Sequence, residues 1–166
     1  MPQITDAKQF FAHKLGATLT MEETVLKMLS ELEQKANESD LKEQLSHHHD
    51  ETQGQVANLT QAFAALGMQP ERKPCPAIEG LQIEGKETLQ MTSPELYDLV
   101  ILAGCAAVEH HEIAVYDGLI ELADQLDQDD ITALLKENLE QEEHTLKEVE
   151  KAFQKQTKQL AERVTA

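Results

Sequence analysis

Apolar residues recur along this chain in alternating steps of three and four, the spacing that lines one face of an α-helix. Over residues 6–36 the inward series reads Phe11, Leu15, Thr18, Glu22, Val25, Leu29, Leu32, Ala36. Over residues 40–66 it reads Leu41, Leu45, His48, Thr52, Gln55, Leu59, Ala62, Leu66, with Gly67 as the helix stop. The polar break at residues 37–40 is short, so these two helices are predicted to form an antiparallel hairpin. A second pair follows. Residues 94–125 carry Leu99, Leu102, Ala106, Glu109, Ile113, Tyr116 and Ile120, and residues 128–161 carry Leu135, Leu139, Glu142, Leu146, Val149 and Phe153. Ser93 is the expected N-cap of the third long helix, with Pro94 in its first turn and Glu95 at its positive end.

Residues 67–93 behave differently. They hold Pro70, Pro74, Pro76, Gly80 and Gly85, and one short helix is expected within residues 77–89. A helix of roughly 28 residues spans about 42 Å, and a connection of this length can cross that distance and return the chain. The second and third long helices then run parallel. Two antiparallel hairpins joined by one long crossover make an all-α, ferritin-like four-helix bundle, here a single domain over residues 1–166.

Composition agrees with that pattern. Gly (7) and Pro (5) are scarce and Trp is absent, while the long runs use strong helix formers. The formal net charge of −17 makes nucleic acid and anionic membrane poor partners, because the surface field repels phosphate. No apolar run is read as reaching the roughly 20 residues that span a bilayer, and the N-terminus lacks a basic stretch followed by an apolar one. A cytoplasmic protein is the expectation. Cys75 and Cys105 lack metal-finger spacing; Cys105 reads as a buried thiol, and Cys75, in a Pro-flanked loop, as the more exposed of the two.

The polar residues on the inward faces carry the chemistry. Glu22, Glu51, Glu109, Glu112 and Glu142 fall near the middles of four helices. Counting from turns centred at Glu38 and Asp127, Glu22 lies 16 residues before its turn and Glu51 13 after. Glu109 and Glu112 lie 18 and 15 before theirs, and Glu142 and Glu143 lie 15 and 16 after. At ~1.5 Å per residue all lie within about 8 Å along the bundle axis. Such carboxylates repel one another, and one or two divalent cations remove that repulsion. Two metals, iron or manganese, suit the oxygen-rich set. Glu142 and Glu51 are then candidates to bridge them and Glu22 and Glu109 to terminate them, with Glu112 or Glu143 completing the shell. His48 faces inward as a further ligand or a supporting group. Gln55, His110 and Tyr116 are candidate supporting residues, and His144 falls on the outward side. The set lacks the inward Glu-x-x-His pairs of common di-metal bundles.

Several segments resemble the YciE/YciF group of ferritin-like bacterial stress proteins. They are Glu51-Thr-Gln-Gly-Gln-Val, Cys75-Pro-Ala-Ile-Glu-Gly-Leu, Val108-Glu-His-His-Glu-Ile-Ala-Val-Tyr116 and Leu139-Glu-Gln-Glu-Glu143. The helix-three motif is the most specific. The resemblance spans about residues 8 to 155 and implies a four-helix bundle with metal-binding carboxylates inside and a tendency to dimerise. Carried over by motif, it favours Glu22, Glu51, Glu109, Glu112 and Glu142 or Glu143 as ligands. His111 stands where the group is commonly aromatic, and Asp50 where it often has Glu. The function expected from residues and resemblance together is handling of a small oxidant, peroxide or dioxygen, by catalase- or oxidase-like redox cycling. The alternative is a non-catalytic, metal-binding or structural homodimeric stress protein.

Overall fold

The structure is a computed structural model and describes residues 3–164. Its helices are α1 (Ala7–Lys35), α2 (Ser39–Ala65), α3 (Pro76–Met91), α4 (Tyr97–Gln125) and α5 (Asp129–Val164), with a 3-10 turn, Pro94–Leu96, ahead of α4. Asp6 caps α1, its carboxylate accepting from Gln9 N at 2.8 Å. At the end of α2 the chain reverses through Gly67 at φ 70°, and Met68 N reaches back to Phe63 O at 3.0 Å. Glycine suits that left-handed position because no Cβ crowds the preceding carbonyl. Between α4 and α5 the same position is held by Asp127 at φ 54°, one of the few residue types that tolerate it.

Hydrogen bonds fix how the hairpins dock. Asn37, just past α1, pairs with Asp98 near the start of α4, and Glu22 in mid-α1 pairs with Tyr116 in the second half of α4. Those helices are therefore antiparallel. So are α2 and α5, where Gln55 meets Gln141 and Asn58 meets Asn138. Hence α2 and α4 run parallel across the diagonal, as the long crossover requires. The crossover lies close over α1: Lys73 N donates to Gly16 O at 3.1 Å, and a Cβ on Gly16 would stand 2.3 Å from the carbonyl oxygen of Glu71. Arg72 anchors the same stretch through a two-pronged pair with Glu23. Beyond it, α3 packs on α4 and α1, burying Ile78 and Leu89.

The core differs from the sequence reading in three places. Ser93 makes no capping bond, and Pro94 opens the 3-10 turn rather than an α-helix. The buried residues of α4 are rotated from the expected stripe: Ile101, Leu102, Cys105, Val108, Glu109, Glu112, Tyr116, Leu119 and Ala123 are inside, and Leu99, Ala106, Ile113 and Ile120 only partly so. Because α4 packs against α1, α3 and α5, its buried sector is wide and a single narrow stripe misplaces its centre. In α5 the buried residues are Ile131, Thr132, Leu135, Asn138, Glu142, Thr145 and Val149, with Leu139 and Phe153 flanking them.

The reading of apolar runs also needs correction. Pro94–Gln125 is long and apolar enough, by length and composition, to cross a membrane. In this bundle it packs against α1, α3 and α5 and carries the buried acids Asp98, Glu109 and Glu112.

Candidate metal centre

Each helix presents its polar residues to the bundle centre at helical spacing. Glu22 comes from α1. His48, Thr52 and Gln55 stand one turn apart on α2; Glu109, Glu112 and Tyr116 do so on α4, and Asn138, Glu142 and Thr145 on α5. All ten are buried.

One ligand atom each from His48, Glu109, Glu112 and Glu142 lies within 4.8 Å of the others. His48 Nε2 is 3.6 Å from Glu109 Oε1 and 3.9 Å from Glu142 Oε2. A cation bound at about 2.0–2.4 Å places opposed ligands about 4.0–4.8 Å apart, so the cluster has the dimensions of a coordination shell. Among the described residues the donor atoms face chiefly one another, with Gln55 beside Glu142. Both carboxylate oxygens of Glu109, Glu112 and Glu142, Glu22 Oε2 and His48 Nε2 are buried without a hydrogen bond. Buried polar atoms normally find one, and a buried charge left unpaired is costly. A buried His/Glu cluster of this kind can hold a metal ion.

Without a cation the cluster holds its protons. Burial, then the charge of Glu142, pushes the Glu22 carboxyl up to about 8, against the counter-pull of Tyr116. Burial raises Glu142 to about 7, with Glu51 adding to the rise. Glu109 and Glu112 are held well above the usual carboxylate range, first by burial and then by the surrounding acids. Burial, assisted by His47 and His49, lowers His48 to about 4, so its imidazole is neutral at neutral pH, the form that ligates metal.

A hydrogen-bond network supports Glu22. The Tyr116 hydroxyl donates to Glu22 Oε1 at 2.5 Å. Asn138 Nδ2 donates to that hydroxyl at 3.0 Å and lies 3.3 Å from Gln55 O, while Asn138 Oδ1 accepts from Asn58 Nδ2 at 2.8 Å. Gln55 donates to Gln141 Oε1 at 3.1 Å and keeps its own Oε1 buried and unpaired. Asn138 was not among the sequence candidates. It sits one turn before Glu142 on the same face, and that spacing was the signal for it.

The other candidates are placed differently. Glu51 is at the rim, its side chain 20% exposed and 3.6 Å from His47, yet its charge reaches both Glu109 and Glu142. Glu143 is exposed, pointing away from the cluster that holds Glu142, so the choice between them falls to Glu142. His110 is on the surface beside Glu150, 64% exposed, and His144 is exposed too. Cys105 is buried near Glu109, and burial pushes its thiol up to about 12. Cys75 is half-buried at the head of α3.

This arrangement has relatives. Protein YciF of Escherichia coli K12 is 34% identical over 137 residues, 81% of this chain and 82% of that one. The crystal structure of the E. coli stress protein YciF superposes at TM-score 0.84 with 31% identity, covering 89% of this chain and 94% of that one. YcfI from Rhodopseudomonas palustris, labelled a structural protein, superposes at TM-score 0.87 with 35% identity, over 89% of this chain and 95% of its own. Protein XCC3681 from Xanthomonas campestris pv. campestris shares the fold at TM-score 0.74 and 18% identity, over 97% and 100% of the two chains. The family described as a domain of unknown function, DUF892, matches residues 6–162, and the chain belongs to that family.

Proposed function

We propose that this chain is a ferritin-like bacterial stress protein whose bundle core holds two divalent cations, iron or manganese, and that it handles peroxide or dioxygen in the cytoplasm. The observation that carries the reading is the set of buried, unpartnered donor atoms on Glu22, His48, Glu109, Glu112 and Glu142. His48, Glu109, Glu112 and Glu142 would hold one cation. Glu22, with one free oxygen, and Glu51, at the rim, would complete a second. Four buried carboxylates and Glu51 supply charge enough to balance two divalent ions, and hard oxygen donors with one imidazole suit iron and manganese. A redox-active pair there supplies or accepts the electrons that peroxide or dioxygen chemistry needs.

The chain's own residues do the remainder. Tyr116 holds a proton at Glu22 Oε1, and Asn138 fixes the orientation of that hydroxyl. The apolar walls exclude bulk water, which strengthens every charge interaction inside. A homodimer is part of the proposal; Ile83 and Met91, exposed apolar residues of α3, favour a surface that a second copy covers.

Metal analysis of freshly purified protein, with melting before and after chelation, tests the centre. About two ions per chain and a lower melting temperature after chelation are expected; sub-stoichiometric metal with an unchanged melt removes it. Peroxide consumption by iron- and manganese-loaded protein, compared with Glu109→Ala, tests turnover. Equal rates leave the second reading, a metal-binding structural protein, which the label of YcfI favours.

A further inference from the structure

A second feature converges on the same cluster from outside. Between α1, α3 and α4 lies a cavity of about 270 Å³ whose inner end is His48 and Glu109. Its wall is mostly apolar, with Val25, Leu29, Leu81, Ile101 and Val108, and polar atoms enter it from Gln82, Gln90 and Tyr97. Two helix-interior glycines, Gly85 of α3 and Gly104 of α4, also line it, and a Cβ at either would meet no atom within 4 Å. A larger side chain at either position therefore has room to reach into the space beside it.

We infer that this cavity is a binding chamber for a neutral, medium-length alkyl molecule whose oxygen-bearing end lies against His48 and Glu109. The inference rests on the proposed centre only for what the oxygen end would meet. Size sets the length. At ~30 Å³ for a water-sized group, the space holds about nine non-hydrogen atoms, the size of 1-octanol. Polarity sets the orientation, since the inner end presents the buried His48 Nε2 and Glu109 oxygens while most of the remaining wall offers apolar contact. A fatty anion is disfavoured because its carboxylate would lie against Glu109, with Glu112 and Glu142 beside it. At the mouth Lys86 is paired with Glu31 at 3.0 Å and Lys35 lies over the Tyr97 ring, while the chain as a whole carries −17. A neutral alcohol or alkyl hydroperoxide fits, and a helix or strand from another protein is too wide for the space.

The test is calorimetric titration of the purified protein with 1-octanol, paired with the ring resonances of His48 in chelator-treated protein. Wild type is expected to bind saturably and to shift the His48 signals. Gly104→Leu and Gly85→Leu, on different helices, are each expected to weaken binding at least tenfold while melting cooperatively and taking up metal as wild type does. If one variant fails to melt cooperatively, the other carries the comparison. No saturable binding to wild type, undiminished binding in the folded variants, or an unmoved His48 would each overturn the inference. Metal content is read separately. A chain that binds octanol in this way without retaining metal keeps the chamber and loses the redox reading, and a metal-loaded chain that ignores octanol does the reverse.

Discussion

Removing the metal should make stability fall as pH rises, opposite to the behaviour of a carboxylate held ionised by a salt bridge. In the metal-free fold Glu22 titrates near 8, against 4.5 unperturbed. Between those values the folded state keeps a proton that the unfolded state has released. With more protons bound folded than unfolded, unfolding becomes easier with increasing pH. Each such group costs about 1.4 kcal/mol per pH unit. From pH 6.5 to 8 Glu22 alone therefore removes ~2 kcal/mol, and Glu109 and Glu112, raised for the same reason, act in the same direction. His48 opposes this weakly: its folded-state value of about 4 leaves it neutral, while the unfolded imidazole, half protonated at pH 6.5, loses its proton across the window, worth only about 0.4 kcal/mol in the other direction. At about 2–4 °C per kcal/mol for a chain of this size, Glu22 alone lowers Tm by roughly 4–8 °C. The assay is calorimetric melting of chelated protein at pH 6.5, 7.25 and 8, repeated with Glu22→Gln and with manganese restored. Glu22→Gln should flatten the slope by about 1.4 kcal/mol per unit. Manganese should flatten it further, since a bound cation holds the carboxylates ionised. A metal-free Tm that is constant or rises over this range would refute the reasoning.

Three structural substitutions have separate readouts. Tyr116→Phe leaves Glu22 Oε1 without its donor and Asn138 Nδ2 without one acceptor, so denaturant unfolding should show a loss of about 1–3 kcal/mol; a loss below ~0.5 kcal/mol would mean the hydroxyl is not what satisfies Glu22. Gly16→Ala places a methyl 2.3 Å from a backbone oxygen that cannot rotate away, and should cost about 1–3 kcal/mol and speed proteolysis within residues 67–75; wild-type melting would show the crossover is not seated there. Asp98→Ala removes the carboxylate that accepts Asn37 N at 2.6 Å and Glu38 N at 3.0 Å, for an expected loss of about 2–4 kcal/mol, with faster amide exchange at residues 37 and 38 as the local check.

What the sequence disclosed and what it hid follow from geometry. The series through Glu22 on α1 and His48 on α2 is legible because each of those helices buries a regular face, and steps of three and four land on it repeatedly. The acids at the middle of α4 and α5 are legible for the same reason, with the turns supplying a ruler for their depth. The ruler gives height along the axis but not rotation about it. One residue turns the helix by about 100°, so Glu142 and Glu143 are equal in depth and opposite in fate: one enters the cluster and the other meets solvent. Asn138 and Asp98 were obscured for a different reason. A single Asn or Asp on a helix reads as surface, and only the partners brought in by distant segments, Tyr116 and Gln55 for one and the α1–α2 turn for the other, make burial favourable. His48 shows the same dependence in the centre itself. Its neighbours along the chain, His47 and His49, are chemically identical, yet only the helical phase that also buries Leu41, Leu45, Thr52 and Gln55 carries an imidazole to the carboxylates of α4 and α5. That phase makes the centre a mixed nitrogen–oxygen site rather than a purely carboxylate one, and it places the lone imidazole where the apolar chamber ends. A ligand entering through the chamber would therefore meet His48 and Glu109 before any other member of the cluster.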